Sequence, residues 1–267
     1  MKTSAARFSR SIAFFGALIL PATTLAIPPA PAPPEVHVKV KGKVVNTDDL
    51  LNPVWNEAKD PAQNRYDFRE PASTVPPEKR ILRGHLSKEL CIAVLVDAPT
   101  APPKKSLDMV IQGGRTSPVT RVIPAGVEIN FINKDPFEHN IYEVSGKAGF
   151  GEGTMQKDKS RGWTPPGPGK YEIRDKLAPS LRSWVVVEPN VLKTVYPNRT
   201  GDLETELDPG TDTLRAYFAG EAVGEPLPLT IKPAPLELTL DKPLKAGPDK
   251  AEKKDDTKKD AAPKAGG

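Results

Sequence analysis

One cysteine, Cys91, and three histidines, His37, His85 and His139, are all that 267 residues supply of the side chains that most often ligate metals or act as nucleophiles and bases. A lone thiol excludes an internal disulfide framework. Cys91 is flanked by Leu90 and Ile92 with no cation beside it, which reads as a small buried hydrophobe rather than a reactive group. There is no Gly-x-Ser-x-Gly elbow, no His-Glu-x-x-His, no Cys-x-x-Cys and no phosphate loop, so the chain is not expected to be an enzyme and no catalytic or cofactor-binding residue is assigned. Acid pairs such as Asp48-Asp49 lie in polar stretches and read as solvated charge. The net basic excess is thin as well. Of the formal net charge of +4, Lys2, Arg7 and Arg10 supply three, and no aromatic-interleaved basic stripe is present, which excludes a nucleic-acid surface.

The two ends of the chain have compositions that do not build a core. Residues 1–26 carry basic residues, then the apolar run Ile12 to Leu20, then Thr24-Leu25-Ala26, the pattern of a cleavable secretory signal, and the run is too short to span about 30 Å of hydrocarbon. An exported product, periplasmic or extracellular and without a transmembrane span in the mature chain, is expected. Residues 27–35 form a Pro-Ala tether of extended character. Residues 241–267 are mostly Lys, Asp, Ala, Pro and Gly, too poor in apolar side chains to offset ordering entropy, and are expected to be disordered.

Between the ends the signal is short β-strands. Val36 to Val45 alternates Val with Lys or His, with His37 in the polar set, and reads as a half-exposed strand opening a segment at 36–117. Residues 46–75 form a long polar loop carrying Trp55, Tyr66 and Phe68. Glu89 to Asp97 is a continuous apolar run, as expected of a central strand, and Leu107 to Ile111 is another strand before Gly113-Gly114. A compact β domain follows at 118–189. Val122, Ile123, Val127, Ile129, Phe131 and Ile141 stand in short alternating runs broken at Pro124-Ala125-Gly126 and Asn133-Lys134-Asp135-Pro136, and Trp184 to Val187 is a β-branched run fit for a buried strand that pairs with the opening one. Residues 190–240 read as a small β module, with strands at Leu203 to Leu207, Thr213 to Phe218 and Leu227 to Ile231 around the turn signal Asp208-Pro209-Gly210.

The run Asn133-Lys134-Asp135-Pro136-Phe137-Glu138-His139-Asn140, together with GPGKYEIRDKLAPSLRSWVVV, resembles the strand, first histidine and closing stretch of the cupredoxin, or blue-copper, family. The resemblance implies a Greek-key cupredoxin-like sandwich, so with the patterns above the chain is expected to be all-β, with a small additional β module and disordered termini. It also implies where copper ligands belong. Those positions are held by Asp175, Ala178 and Leu181, and no Cys, His or Met follows Met155, so the soft thiolate that such a site needs is missing. His139 is left as the single metal candidate, against the plainer role of a hydrogen-bonded strand histidine; Met155 reads as core filler, and His85, His139 and Cys91 meet only if the fold brings them together. Residues 190–240 are similar to carboxypeptidase-regulatory modules, and the order of parts resembles exported bacterial proteins grouped as methylamine-utilisation-like. The implied function is a non-catalytic exported β-sandwich that binds an unknown protein or envelope ligand, or serves envelope structure, with no cofactor. The alternative is a periplasmic copper-binding or electron-transfer protein using His139 and further ligands.

Overall fold

The computed structural model describes residues 36–53 and 82–247. The readings for 1–35, for most of the loop 46–75 and for 248–267 lie outside them. The described chain folds into seventeen strands and one short helix, the all-β class that the alternating pattern predicts. In chain order these are β1 (Val38–Val45), α1 (Leu86–Glu89), β2 (Leu90–Leu95), β3 (Leu107–Ile111), β4 (Thr116–Ser117), β5 (Thr120–Ile123), β6 (Ile129–Asn133), β7 (His139–Glu143), β8 (Thr154–Met155) and β9 (Ser160–Trp163). The remainder are β10 (Gly169–Asp175), β11 (Arg182–Val187), β12 (Val191–Val195), β13 (Asp202–Leu207), β14 (Gly210–Phe218), β15 (Glu221–Ile231), β16 (Glu237–Thr239) and β17 (Leu244–Lys245). No described helix is long and apolar enough to cross a membrane.

Four sheets form two sandwiches. In the first, the sheet β13-β1-β16, with β17 also paired to β1, faces β12-β2-β14-β15 across a core of Val38, Val40, Leu90, Ile92, Leu203 and Leu214. In the second, β5-β11-β10-β7-β8 faces β4-β3-β6-β9 across Met109, Phe131, Ile141, Ile173, Leu181 and Val185. Alternation sets the faces: in β13 Leu203, Thr205 and Leu207 are buried and the residues between them exposed. Two pairs in the second sandwich, β3 with β6 and β11 with β5, are parallel. A tight hairpin cannot join parallel neighbours, so the chain leaves β3, passes through β5 in the opposite sheet and returns at β6.

All six residues of β2 are buried, and the reason is that both of its faces are covered. Leu90, Ile92 and Val94 enter the first core, while Cys91, Ala93 and Leu95 meet Val122 of β5, Val186 of β11 and Tyr217 of β14 in a third apolar cluster that joins the sandwiches. Strand β11 is its counterpart, with Val185 and Val187 in the second core and Val186 in the seam.

Pairing crosses the divisions read from the sequence at 117/118 and 189/190. Strands β3 and β4 belong with the second sandwich, and β1 and β2 complete the first, so the module read at 190–240 is part of an eight-stranded body. The turn signal at Asp208-Pro209-Gly210 carries the chain from β13 in one sheet to β14 in the other and does not close a hairpin. Periodicity locates strands but says nothing of which distant strand each one joins.

The expectation that disorder begins at Asp241 is corrected by the structure. Strand β17 runs parallel to β1, with Val44 opposite Leu244 and Val45 opposite Lys245, and Leu244 and Ala246 are each 1% exposed in the first core. Two apolar residues among the charges are enough to anchor the segment, and the chain passes so close to β15 that a methyl on Gly224, whose φ is +66°, would run into the Lys245 carbonyl. Leu244→Ala is expected to cost about 2–5 kcal/mol in urea unfolding. A chain ending at residue 240 should lose at least as much relative to one ending at 247; equal stabilities would show that the segment contributes nothing.

Candidate functional site

The most concentrated set of buried polar groups in the second sandwich lies at one end, around His139. Strand β6 ends at Asn133, a five-residue loop follows, and β7 begins at His139; across the sheet β10 ends at Asp175, in register with Ile141. Asn133 is fully buried and organises the loop: its Oδ1 accepts from Asp135 N at 2.8 Å, while its Nδ2 donates to Phe137 O at 2.8 Å and Met155 O at 2.9 Å. This Asn-type turn aims the Asp135 carboxylate inward.

The ring of His139 has no exposed surface and both of its nitrogens face carboxylates. Nε2 is 3.0 Å from Asp135 Oδ2, and Nδ1 is hydrogen-bonded to Asp175 Oδ2. Each carboxylate has two further donors. Asp135 receives Gly113 N at 2.5 Å and Gly114 N at 2.8 Å; Asp175 Oδ1 receives Asn140 N at 3.0 Å and Leu177 N at 2.7 Å. Both glycines sit at positive φ, +66° and +67°, which lets the β3–β4 turn point two consecutive N–H groups at one carboxylate. Phe137 covers the imidazole with its ring centroid 4.9 Å away. Burial pushes the Asp135 carboxyl up, but the Gly114 and Gly113 N–H bonds and the His139 contact outweigh it and hold the group below the ordinary carboxylate range.

The positions singled out in the sequence fall as follows. His139 stands at the start of its strand, hydrogen-bonded on both sides. Asp175, where the resemblance puts a thiolate, bonds the ring directly. Leu181 is fully buried in the second core and Ala178 packs beside it; Met155 is buried there too and stands opposite His139 in the β7–β8 pair. His85 Nδ1 lies 3.1 Å from Ser87 Oγ, and exposed His37 bonds Asp208 at 2.7 Å. Cys91 lies in the seam with Tyr196, and burial pushes its thiol up to about 11. His85, His139 and Cys91 therefore each keep separate partners. Among the described residues no group of three or more His, Cys, Asp or Glu is placed to hold a metal ion. Sequence reasoning passed over Asp135, Asn133 and the Gly113-Gly114 donors; the Asn-x-Asp and Gly-Gly turn signals were visible, but only as turns.

No family model and no curated protein sequence matches the chain. Among solved structures, the chain is similar to amicyanins. A reduced proline-to-phenylalanine mutant of amicyanin is 21% identical with a TM-score of 0.30. An oxidized proline-to-alanine mutant and the Cu(I) form of a methionine-to-alanine mutant are each 22% identical with TM-scores of 0.30. Each match covers 36% of this chain and 98% of the amicyanin.

Because the folded-state Asp135 carboxyl lies below its unfolded value of about 3.9, its contribution to stability is fully present above that pH and is lost as the pH falls through the depressed folded value. Urea midpoints measured from neutral pH downward should therefore fall less steeply below about pH 4 for Asp135→Asn than for the wild type. Parallel curves would rule out this role for Asp135.

Proposed function

We propose that the chain is a non-catalytic exported β-sandwich protein that binds a partner or serves envelope structure, and that its second, cupredoxin-like sandwich has lost its copper ligands. The observation that carries this reading is the buried His139 ring with a carboxylate on each nitrogen. A blue-copper centre needs a thiolate and two imidazoles converging on one point. The donors at this end are one imidazole, two carboxylates spent on that imidazole, and the thioether of Met155 in the core; Ala178 and Leu181 offer none. These residues do not fit copper. The first sandwich, with its similarity at 190–240 to carboxypeptidase-regulatory modules, and the basic, apolar and small-residue succession at 1–26 support an exported binding role.

Copper titration of the purified full chain, followed by visible absorption and calorimetry, tests the reading. The expected outcome is no intense charge-transfer band and no saturable binding that depends on His139. Stoichiometric copper uptake abolished by His139→Ala, or a strong band abolished by Cys91→Ser, would replace this reading with that of a copper protein.

A further inference from the structure

A histidine that ligates a metal uses one ring nitrogen for the metal and gives its other N–H to a carboxylate or carbonyl, which fixes the ring. His139 has the second half of that arrangement. Its Nε2 faces Asp135, and Asp135 is itself fixed by the N–H groups of Gly113 and Gly114. At Nδ1, the nitrogen left for a metal, stands Asp175. A nitrogen and a carboxylate oxygen in hydrogen-bond contact need a hydrogen between them, so the two contacts hold two hydrogens among three side chains.

We propose that Asp135, His139 and Asp175 form a metal-free lock, in which the His139 ring carries both hydrogens and the one its Nδ1 gives to Asp175 takes the place a metal ion would occupy. The inference rests on the reading that the chain carries no copper, and it assigns the groups that tie the end of the sandwich together instead. Four segments meet in it: the β3–β4 turn through Gly113 and Gly114, the β6–β7 loop through Asp135, β7 through His139 and Asn140 N, and the end of β10 with the turn after it through Asp175 and Leu177 N. Strands β3 and β6 belong to one sheet and β7 and β10 to the other, so the lock cross-links the two sheets, as a metal with ligands from both would. The exposed surface at this end includes Phe137 and Leu177, and neither offers a metal donor.

Nuclear magnetic resonance of the full chain labelled with 15N at histidine decides the point. The expected wild-type spectrum has two ring N–H resonances from His139, both protected from exchange with water. Asp175→Asn should lose or strongly shift the Nδ1 resonance and retain Nε2; Asp135→Asn should do the converse. A single ring N–H in the wild type, or loss of both resonances in each folded variant, overturns the lock. Should either variant fail to fold, the wild-type count of ring N–H groups still decides. A wild type with one ring N–H that leaves copper unbound sinks the lock and spares the proposed function; stoichiometric copper on His139 sinks both.

Discussion

An imidazole with no exposed surface, held between two buried carboxylates, constrains everything around it. A buried charge must be paired and hydrogen-bonded, and removing one partner of such a set leaves the other uncompensated at a cost of about 3–5 kcal/mol. That penalty dictates the local backbone. Asp135 is satisfied only if the β3–β4 turn presents two N–H groups, which requires Gly113 and Gly114 at positive φ, and Asp175 only if the chain after β10 turns back to offer Leu177 N. Asn133 in turn fixes the loop that delivers Asp135. The polar end is thus a connected and fully satisfied set, the condition under which buried polar groups specify one arrangement.

Outside that end the protein is held by apolar layers. The two sandwiches are joined because β2 and β11 are apolar on both faces, and each fully buried Val, Leu or Ile contributes about 1.5–3 kcal/mol relative to exposure. Cys91 belongs to this seam. Its raised thiol and its neighbours Ala93, Val122 and Tyr217 make it a packing residue, as its flanking sequence indicated.

Much of this was legible from residue patterns. Strands β1, β2, β6, β11, β13 and β14 stand where alternation or continuous apolar runs placed them, because a pleated strand imposes its period on the sequence. The pairing of Trp184 to Val187 with the strand at Thr120 to Ile123 was also foreseen. The partnership of β1 with β13 was not, since β13 lies about 160 residues later and nothing local encodes that. The docking of Leu244 was hidden for a different reason: composition averages over a window, and two apolar residues among charges vanish in the average although each fills a place in the core. At the site, His139 and Asp175 were legible as types. The role of Asp135 depended on a two-glycine turn more than 20 residues away, which only the fold brings to it.

Beside its polar end the second sandwich has an apolar core between its sheets. Phe131 stacks on Phe150 with centroids 5.5 Å apart, Phe150 on Trp163 at 5.1 Å, and Tyr171 meets the edge of Trp163 at 5.5 Å, forming an aromatic column between the sheets. The Trp163 indole donates to Ala148 O and the Tyr171 hydroxyl to Gly167 O, so the column leaves neither polar group unsatisfied. Leu181 closes this core at the polar end and Ala178 packs beside it. The hydrogen-bonded chain from the glycine turn to Asp175 closes the same end, so an apolar column between the sheets and a satisfied polar set at their edge hold this sandwich together.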